Sequence, residues 1–214
     1  MPHPVTVTPV AIFISGRGSN MEALAAAAAA PDFPARIVLV ASDKADAAGL
    51  ARAAEAGIPT AVVARSDFAS RAAFEAALDE RVRAAGAERI CLAGFMRILS
   101  ADFVARWPGR ILNIHPSLLP SFRGLDTHAR ALEAGVKVHG VTVHIVTAEL
   151  DDGPILAQAA IPVGAHDTPE SLAARLLAIE HRLYPAALAR HLGGAPADDS
   201  AAPPLFSPPL PAAD

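Results

Sequence analysis

Short apolar runs alternate with longer stretches rich in Ala, Leu, Arg and Glu along the first half of the chain. Residues 10–15, 36–41, 60–63, 89–93 and 111–114 are β-branched or continuously apolar and read as strands. Residues 20–30, 45–56, 67–85 and 101–106 have helical character. The breaks at Gly57-Ile58-Pro59 and Gly86-Ala87 fall where helix ends belong. This alternation predicts an α/β fold, a Rossmann-like, mostly parallel sheet with helices on both faces.

Beyond residue 135 the period changes. Residues 139–147 alternate and residues 154–163 are largely apolar, so an antiparallel strand pair is expected, joined through Asp151-Asp152-Gly153. A long C-terminal helix is expected over residues 168–191, with Thr168 as N-cap, Pro169 first and Glu170 just inside. Leu172, Leu176, Ile179 and Leu183 mark its buried face. Residues 193–214 shift to Pro, Ala and Asp, which is the composition of a disordered tail. One domain over residues 1–192 is therefore expected, followed by that tail.

Composition narrows the class. Of the 214 residues 52% are hydrophobic, but no run approaches the ~18 consecutive apolar residues of a membrane span. The amino terminus shows no secretory signal pattern, and one cysteine excludes an internal disulfide framework. A net charge of −4 gives no reason to expect nucleic acid. A cytoplasmic protein acting on small molecules, with no membrane partner, is the expectation; composition leaves monomer and homodimer open.

Two segments carry chemistry. The first, Ser15-Gly16-Arg17-Gly18-Ser19-Asn20, joins a strand to a helix. Glycines let backbone N–H groups approach an anion, and the helix start behind them carries partial positive charge. Gly18, Ser19 and Asn20 could form a phosphate cradle, or the segment could be a plain turn capped by Ser19 or Asn20. It is neither G-x-G-x-x-G nor a Walker A loop.

The second is Ile111-Leu112-Asn113-Ile114-His115-Pro116-Ser117-Leu118-Leu119-Pro120. Asn113 and His115 lie two apart on a strand and so lean to one face, where open α/β sheets place ligands. A carboxylate from Asp151 beside His115 would favour the charged imidazole. Together they could run acyl transfer by direct attack. Asn113 and His115 would stabilise an oxyanion, and Asp151 would help move the proton. On the residues alone, a structural histidine and an ordinary Asp-Asp-Gly turn explain the same letters.

At these segments the sequence resembles the phosphoribosylglycinamide (GAR) formyltransferase family. The likeness extends to Ala93-Gly94-Phe95-Met96-Arg97-Ile98-Leu99-Ser100, Gly124-Leu125-Asp126-Thr127-His128, Leu150-Asp151-Asp152-Gly153-Pro154 and Glu180-His181-Arg182-Leu183-Tyr184-Pro185. These stretches follow in order from about residue 10 to residue 190. The resemblance implies transfer of formyl from the co-substrate 10-formyltetrahydrofolate to the amine of GAR in de novo purine biosynthesis, through a tetrahedral intermediate. It implies Asn113, His115 and Asp151 as the catalytic set, and Gly18, Ser19, Asn20 and Glu180 on GAR. Arg71, Met96, Arg97, Ile98, Leu99, Asn113, Thr147, Ala148, Glu149 and Leu150 would line the folate site, with His144 supporting the Asp151 loop. Arg17, Ile145 and Ala148 depart from the commonest family pattern.

No metal site is expected, because H-x-x-x-H and H-E-x-x-H spacings are missing and Cys91 is the sole cysteine. Cys91 in an apolar strand reads as packing, and Ser117 lacks a G-x-S-x-G elbow. The rival enzymes are a 10-formyltetrahydrofolate hydrolase and a methionyl-tRNA formyltransferase; each resembles the family but adds a domain. A non-catalytic ligand-binding domain is the rival from another class. The phosphate turn and the complete Asn/His/Asp set favour GAR formyl transfer.

Overall fold

β1 (Thr8–Ile14) is apolar almost throughout because helices cover both faces of the sheet there. Val10, Ile12 and Ile14 enter one core cluster, while Ala11 and Phe13 enter a second. The structure, a computed structural model, describes residues 7–193. The expected tail beyond Gly193 lies outside the described residues.

After β1 come α1 (Ser19–Ala28), β2 (Ala35–Ser42), α2 (Ala48–Glu55), β3 (Thr60–Val62), α3 (Arg71–Ala84), β4 (Arg89–Leu92), α4 (Ala101–Arg106) and β5 (Ile111–His115). Then follow α5 (Thr127–Glu133), β6 (Val138–Ile145), β7 (Ile155–Pro162) and α6 (Pro169–Leu192). The sheet order is β3-β2-β1-β4-β5-β6-β7. β1 to β5 pair in parallel, and β6 and β7 join antiparallel. The order reverses between β1 and β4, so the turns after these two strands flank a switch point where such sheets bind ligands.

The expected elements are present with small shifts at their ends. α3 begins at Arg71 because Ser70 caps it through the Ala73 N–H, and Arg65–Asp67 form a separate 3-10 turn. α6 begins as expected, with Thr168 and Ser171 in a reciprocal capping box. α5 was not expected. It spans 7 residues, too few for a clear period, and starts after Asp126 in the left-handed region. Among the described residues no helix is long and apolar enough to cross a membrane.

α1, α2 and α6 cover one face, where Met21, Leu24, Ala53, Leu172, Leu176 and Leu183 share one core cluster with residues of β1, β5, β6 and β7. Phe74, Leu78, Val82 and Phe103 of α3 and α4 cover the other. Tyr184 crosses from α6 to the sheet and its hydroxyl reaches the carbonyls of Leu92 and Leu112, both at 3.1 Å. This fully buried bond ties α6 to β4 and β5, directly beneath the loops that follow them. Tyr184→Phe is expected to lower stability by about 1–2 kcal/mol. That corresponds to a melting temperature lower by roughly 2–8 °C in thermal unfolding. An unchanged transition would show that the bond contributes nothing.

His139 of β6 is buried beneath Phe122, and its Nε2 lies 3.2 Å from Nδ1 of His128 on α5. Burial first, and then the neighbouring His128, push His139 from 6.5 down to about 4. A base whose folded value is depressed binds its proton more readily when unfolded. Stability should therefore fall as pH drops from about 6.5 towards 4. His139→Gln is expected to flatten the stability slope in that window by up to about 1 kcal/mol per pH unit, measured by denaturant unfolding. An equally steep slope in the variant would remove His139 as the cause.

Candidate active site

Asn113 and His115 project from β5, and the register sets their neighbours: Asn113 faces His144 across the β5–β6 ladder, and His115 faces Thr142. His144 Nδ1 lies 3.0 Å from the Ile145 carbonyl, which can only accept, so this nitrogen carries the proton. Its Nε2 is then an acceptor for the Asn113 amide Nδ2, at 3.2 Å. Burial lowers the His144 pKa and holds the ring neutral in this role. The carboxamide is thereby oriented, with a second N–H left to donate elsewhere.

Asp151 sits on the connection between β6 and β7 with φ 49, a conformation Asp tolerates better than most residues. Gly153 closes this connection. A Cβ there would stand 1.7 Å from the Ile145 carbonyl oxygen, so no side chain fits. Asp151 Oδ2 accepts the Gly124 N–H at 2.9 Å and lies 3.4 Å from His115 Nδ1. Its Oδ1 is 3.8 Å from His144 Nε2. His144 thus braces Asn113 more directly than it braces the Asp151 loop.

His115 Nε2 lies 3.0 Å from the Phe122 carbonyl. Both ring nitrogens therefore face acceptors. The segment between them is firmly held. Thr142 Oγ1 donates to the Ser117 carbonyl and accepts the Leu119 N–H, and Arg123 pairs with Asp152. An imidazole, a carboxamide and a carboxylate separated by up to 38 positions thus meet in one half-buried cluster.

The glycine-rich turn stands at the end of β1. Gly18 precedes α1 at φ 77, and a Cβ on it would come within 2.8 Å of Gly49 Cα. Neither Ser19 nor Asn20 caps the helix by its side chain, so the first-turn N–H groups stay available to an anion. Asn20 instead donates Nδ2 to Glu180 Oε2 at 2.7 Å across the α1–α6 contact. Its Oδ1 is buried without a protein partner. Burial raises the Glu180 carboxyl above its usual range, and the Asn20 bond opposes this.

The connection after β4 is the third wall. Met96 and Ile98 are each 65% exposed although apolar, an apolar surface open to solvent. Leu99 is buried beneath them. Arg71 donates to the Ile98 carbonyl at 2.5 Å and to Glu75, so it braces this loop from α3 with half its side chain still exposed. The buried Glu75 also takes the Ser100 N–H and hydroxyl. Arg97 turns to Asp43. Thr147, Ala148, Glu149 and Leu150 form the exposed approach to Asp151, with Thr147 Oγ1 donating to the Glu149 carbonyl at 3.3 Å.

Residues missed by sequence reasoning are Phe122 and Gly124, which bond His115 and Asp151 through their backbones, and Asp43 and Glu75. Asp43 had a readable signal, as a charged residue closing the apolar run of β2 at a ligand-binding sheet end. The backbone contacts had none. A groove of about 570 Å³ between α1, β2 and α2, lined by Ala25, Ala29, Arg36 and Arg52 among others, contains none of the site residues. Among the described residues no three His, Cys, Asp or Glu side chains are grouped to hold a metal ion.

Comparison with known proteins bears on family and fold. The formyl transferase family matches residues 8–188. A trifunctional purine biosynthetic protein adenosine-3 of Gallus gallus is 52% identical over 87% of this chain, which spans 18% of that protein's length. The phosphoribosylglycinamide formyltransferase of Haemophilus influenzae is 43% identical over 82% of this chain and 83% of its own. The crystal structure of phosphoribosylglycinamide formyltransferase from Brucella melitensis superposes with a TM-score of 0.84 at 60% identity, covering 88% of this chain and 97% of that one. The chain belongs to the formyl transferase family and, within it, groups with the phosphoribosylglycinamide formyltransferases.

Proposed function

We propose that this protein transfers the formyl group of 10-formyltetrahydrofolate to the primary amine of 5-phosphoribosylglycinamide, a step of de novo purine biosynthesis. The observation that carries the reading is the meeting of Asn113, His115 and Asp151 beside a glycine-rich turn that opens a helix. In the reading, the phosphate of GAR takes the N–H groups of Gly18, Ser19 and Asn20. The unpartnered Asn20 Oδ1 and the Glu180 carboxyl offer acceptors to the N–H groups of the glycinamide part. The folate ring lies over Met96 and Ile98, with Arg71 and Arg97 at the cationic side of the same loop and residues 147–150 opposite.

The amine attacks the formyl carbon, and the formyl oxygen takes up negative charge. The free N–H of Asn113 and the Nε2–H of His115 donate to it, His115 exchanging the Phe122 carbonyl for the oxyanion. Asp151, 3.4 Å from the ring, stabilises the positive imidazole and receives the proton leaving the amine. Collapse expels the folate nitrogen, which takes a proton, and yields formylated GAR and tetrahydrofolate. Pre-set hydrogen bonds cost no reorganisation as charge develops, which is why bracing by His144 and Gly124 matters. A buried, free Cys91 accords with a reducing, cytoplasmic setting.

The test follows tetrahydrofolate formation from 10-formyltetrahydrofolate with and without GAR. Product is expected only when GAR is present; equal rates in both would favour the hydrolase. Asp151→Asn and His115→Ala are each expected to reduce turnover by roughly a thousandfold or more. Near-normal turnover in both variants would remove these residues from the chemistry.

A further inference from the structure

Asp43, at the end of β2, has a fully buried carboxylate with two charged or polar clients from different loops. Its Oδ1 accepts the Ser15 hydroxyl at 2.5 Å, and its Oδ2 accepts Arg97 Nε at 2.6 Å. Ser15 Oγ in turn accepts the Met96 N–H at 2.8 Å, while the Ser15 N–H donates to the Gly94 carbonyl at 3.1 Å. Ser15 immediately precedes the glycine-rich turn, and Met96 and Arg97 lie in the loop after β4. The segment beyond Asp43 holds the same turn from its other side: the Gly49 N–H donates to the Gly16 carbonyl at 3.0 Å.

A carboxylate with no solvent access loses heavily if either client withdraws, because the charge stays buried with its acceptor sites unmet. The turn and the loop can therefore each move only by breaking bonds that the other shares. Ordering one of them orders the other. We propose that Asp43 is a positioning residue that couples the two substrate subsites, so that filling the phosphate turn pre-sets the folate loop and the reverse. This rests on the GAR formyltransferase reading for the identity of the two ligands. Asp43 itself touches neither; it acts through Ser15 and Arg97.

The coupling is read by calorimetric titration of GAR into the protein, with and without saturating tetrahydrofolate. Wild type is expected to bind GAR roughly five- to fiftyfold more tightly when the folate is present, with the same factor in the reverse titration. Asp43→Ala should reduce that factor to about twofold or less and raise KM for both substrates, with kcat reduced much less than either KM is raised. In Asp43→Asn the amide oxygen can still accept from Arg97 and the amide nitrogen can donate to Ser15 Oγ, so coupling should return towards wild type. If Asp43→Ala does not fold, Ser15→Ala serves instead, since it cuts the Asp43 bridge to the turn together with the Met96 N–H bond and leaves the Asp43–Arg97 pair. Coupling that survives in the folded variant, an Asn variant as uncoupled as the Ala variant, or an active wild type with no coupling would each overturn the proposal. A wild type without GAR-dependent turnover would instead defeat the functional reading.

Discussion

The contact between Asp151 and His115 is the constraint on which the site depends, and the antiparallel end of the sheet makes it possible. β6 pairs with β5 so that His144 faces Asn113, and the β6–β7 connection then returns Asp151 to the His115 ring. Gly153 lets this connection close against the Ile145 carbonyl. The carboxylate is satisfied on its other side by the Gly124 N–H. A purely parallel sheet would carry the chain away through a crossover at this point and leave the imidazole without its carboxylate neighbour.

Most of the architecture was legible because the helical and strand periods differ sharply here. Val10 to Ile14 read as a first strand, and it is one, buried on both faces. Thr168-Pro169-Glu170 announced the start of α6 through side-chain capping, which is local chemistry. α5 escaped because 7 residues without a leading cap carry no usable period. The ends of α2 and α3 shifted because Ala-rich sequence marks helix poorly until a cap such as Ser70 fixes it.

The candidate site was legible by residue type but not by contact. Asn113, His115 and Asp151 stood out as chemistry-bearing letters, and their meeting supports the reading. Their supporting bonds come largely from backbone groups, Phe122 O and Gly124 N–H, which any residue supplies and no side chain advertises. His144 illustrates the same limit. Its place on β6 suggested support for the Asp151 loop, whereas its stronger bond is to Asn113. Arg71 similarly looked like a folate contact and is already engaged in bracing Ile98, a role compatible with its exposed remainder.

In the proposed reaction the glycine-rich turn, the loop after β4 and the Asn113/His115/Asp151 cluster are walls of one chamber. A crystal structure with GAR and a non-transferring folate analogue bound together tests it most directly. The GAR phosphate should lie on the N–H groups of Gly18 to Asn20, and the folate ring over Met96 and Ile98. The GAR amine should lie beside the position of the formyl carbon, within reach of Asp151. Either ligand seated instead in the groove between α1, β2 and α2, beside Arg36 and Arg52, would contradict it.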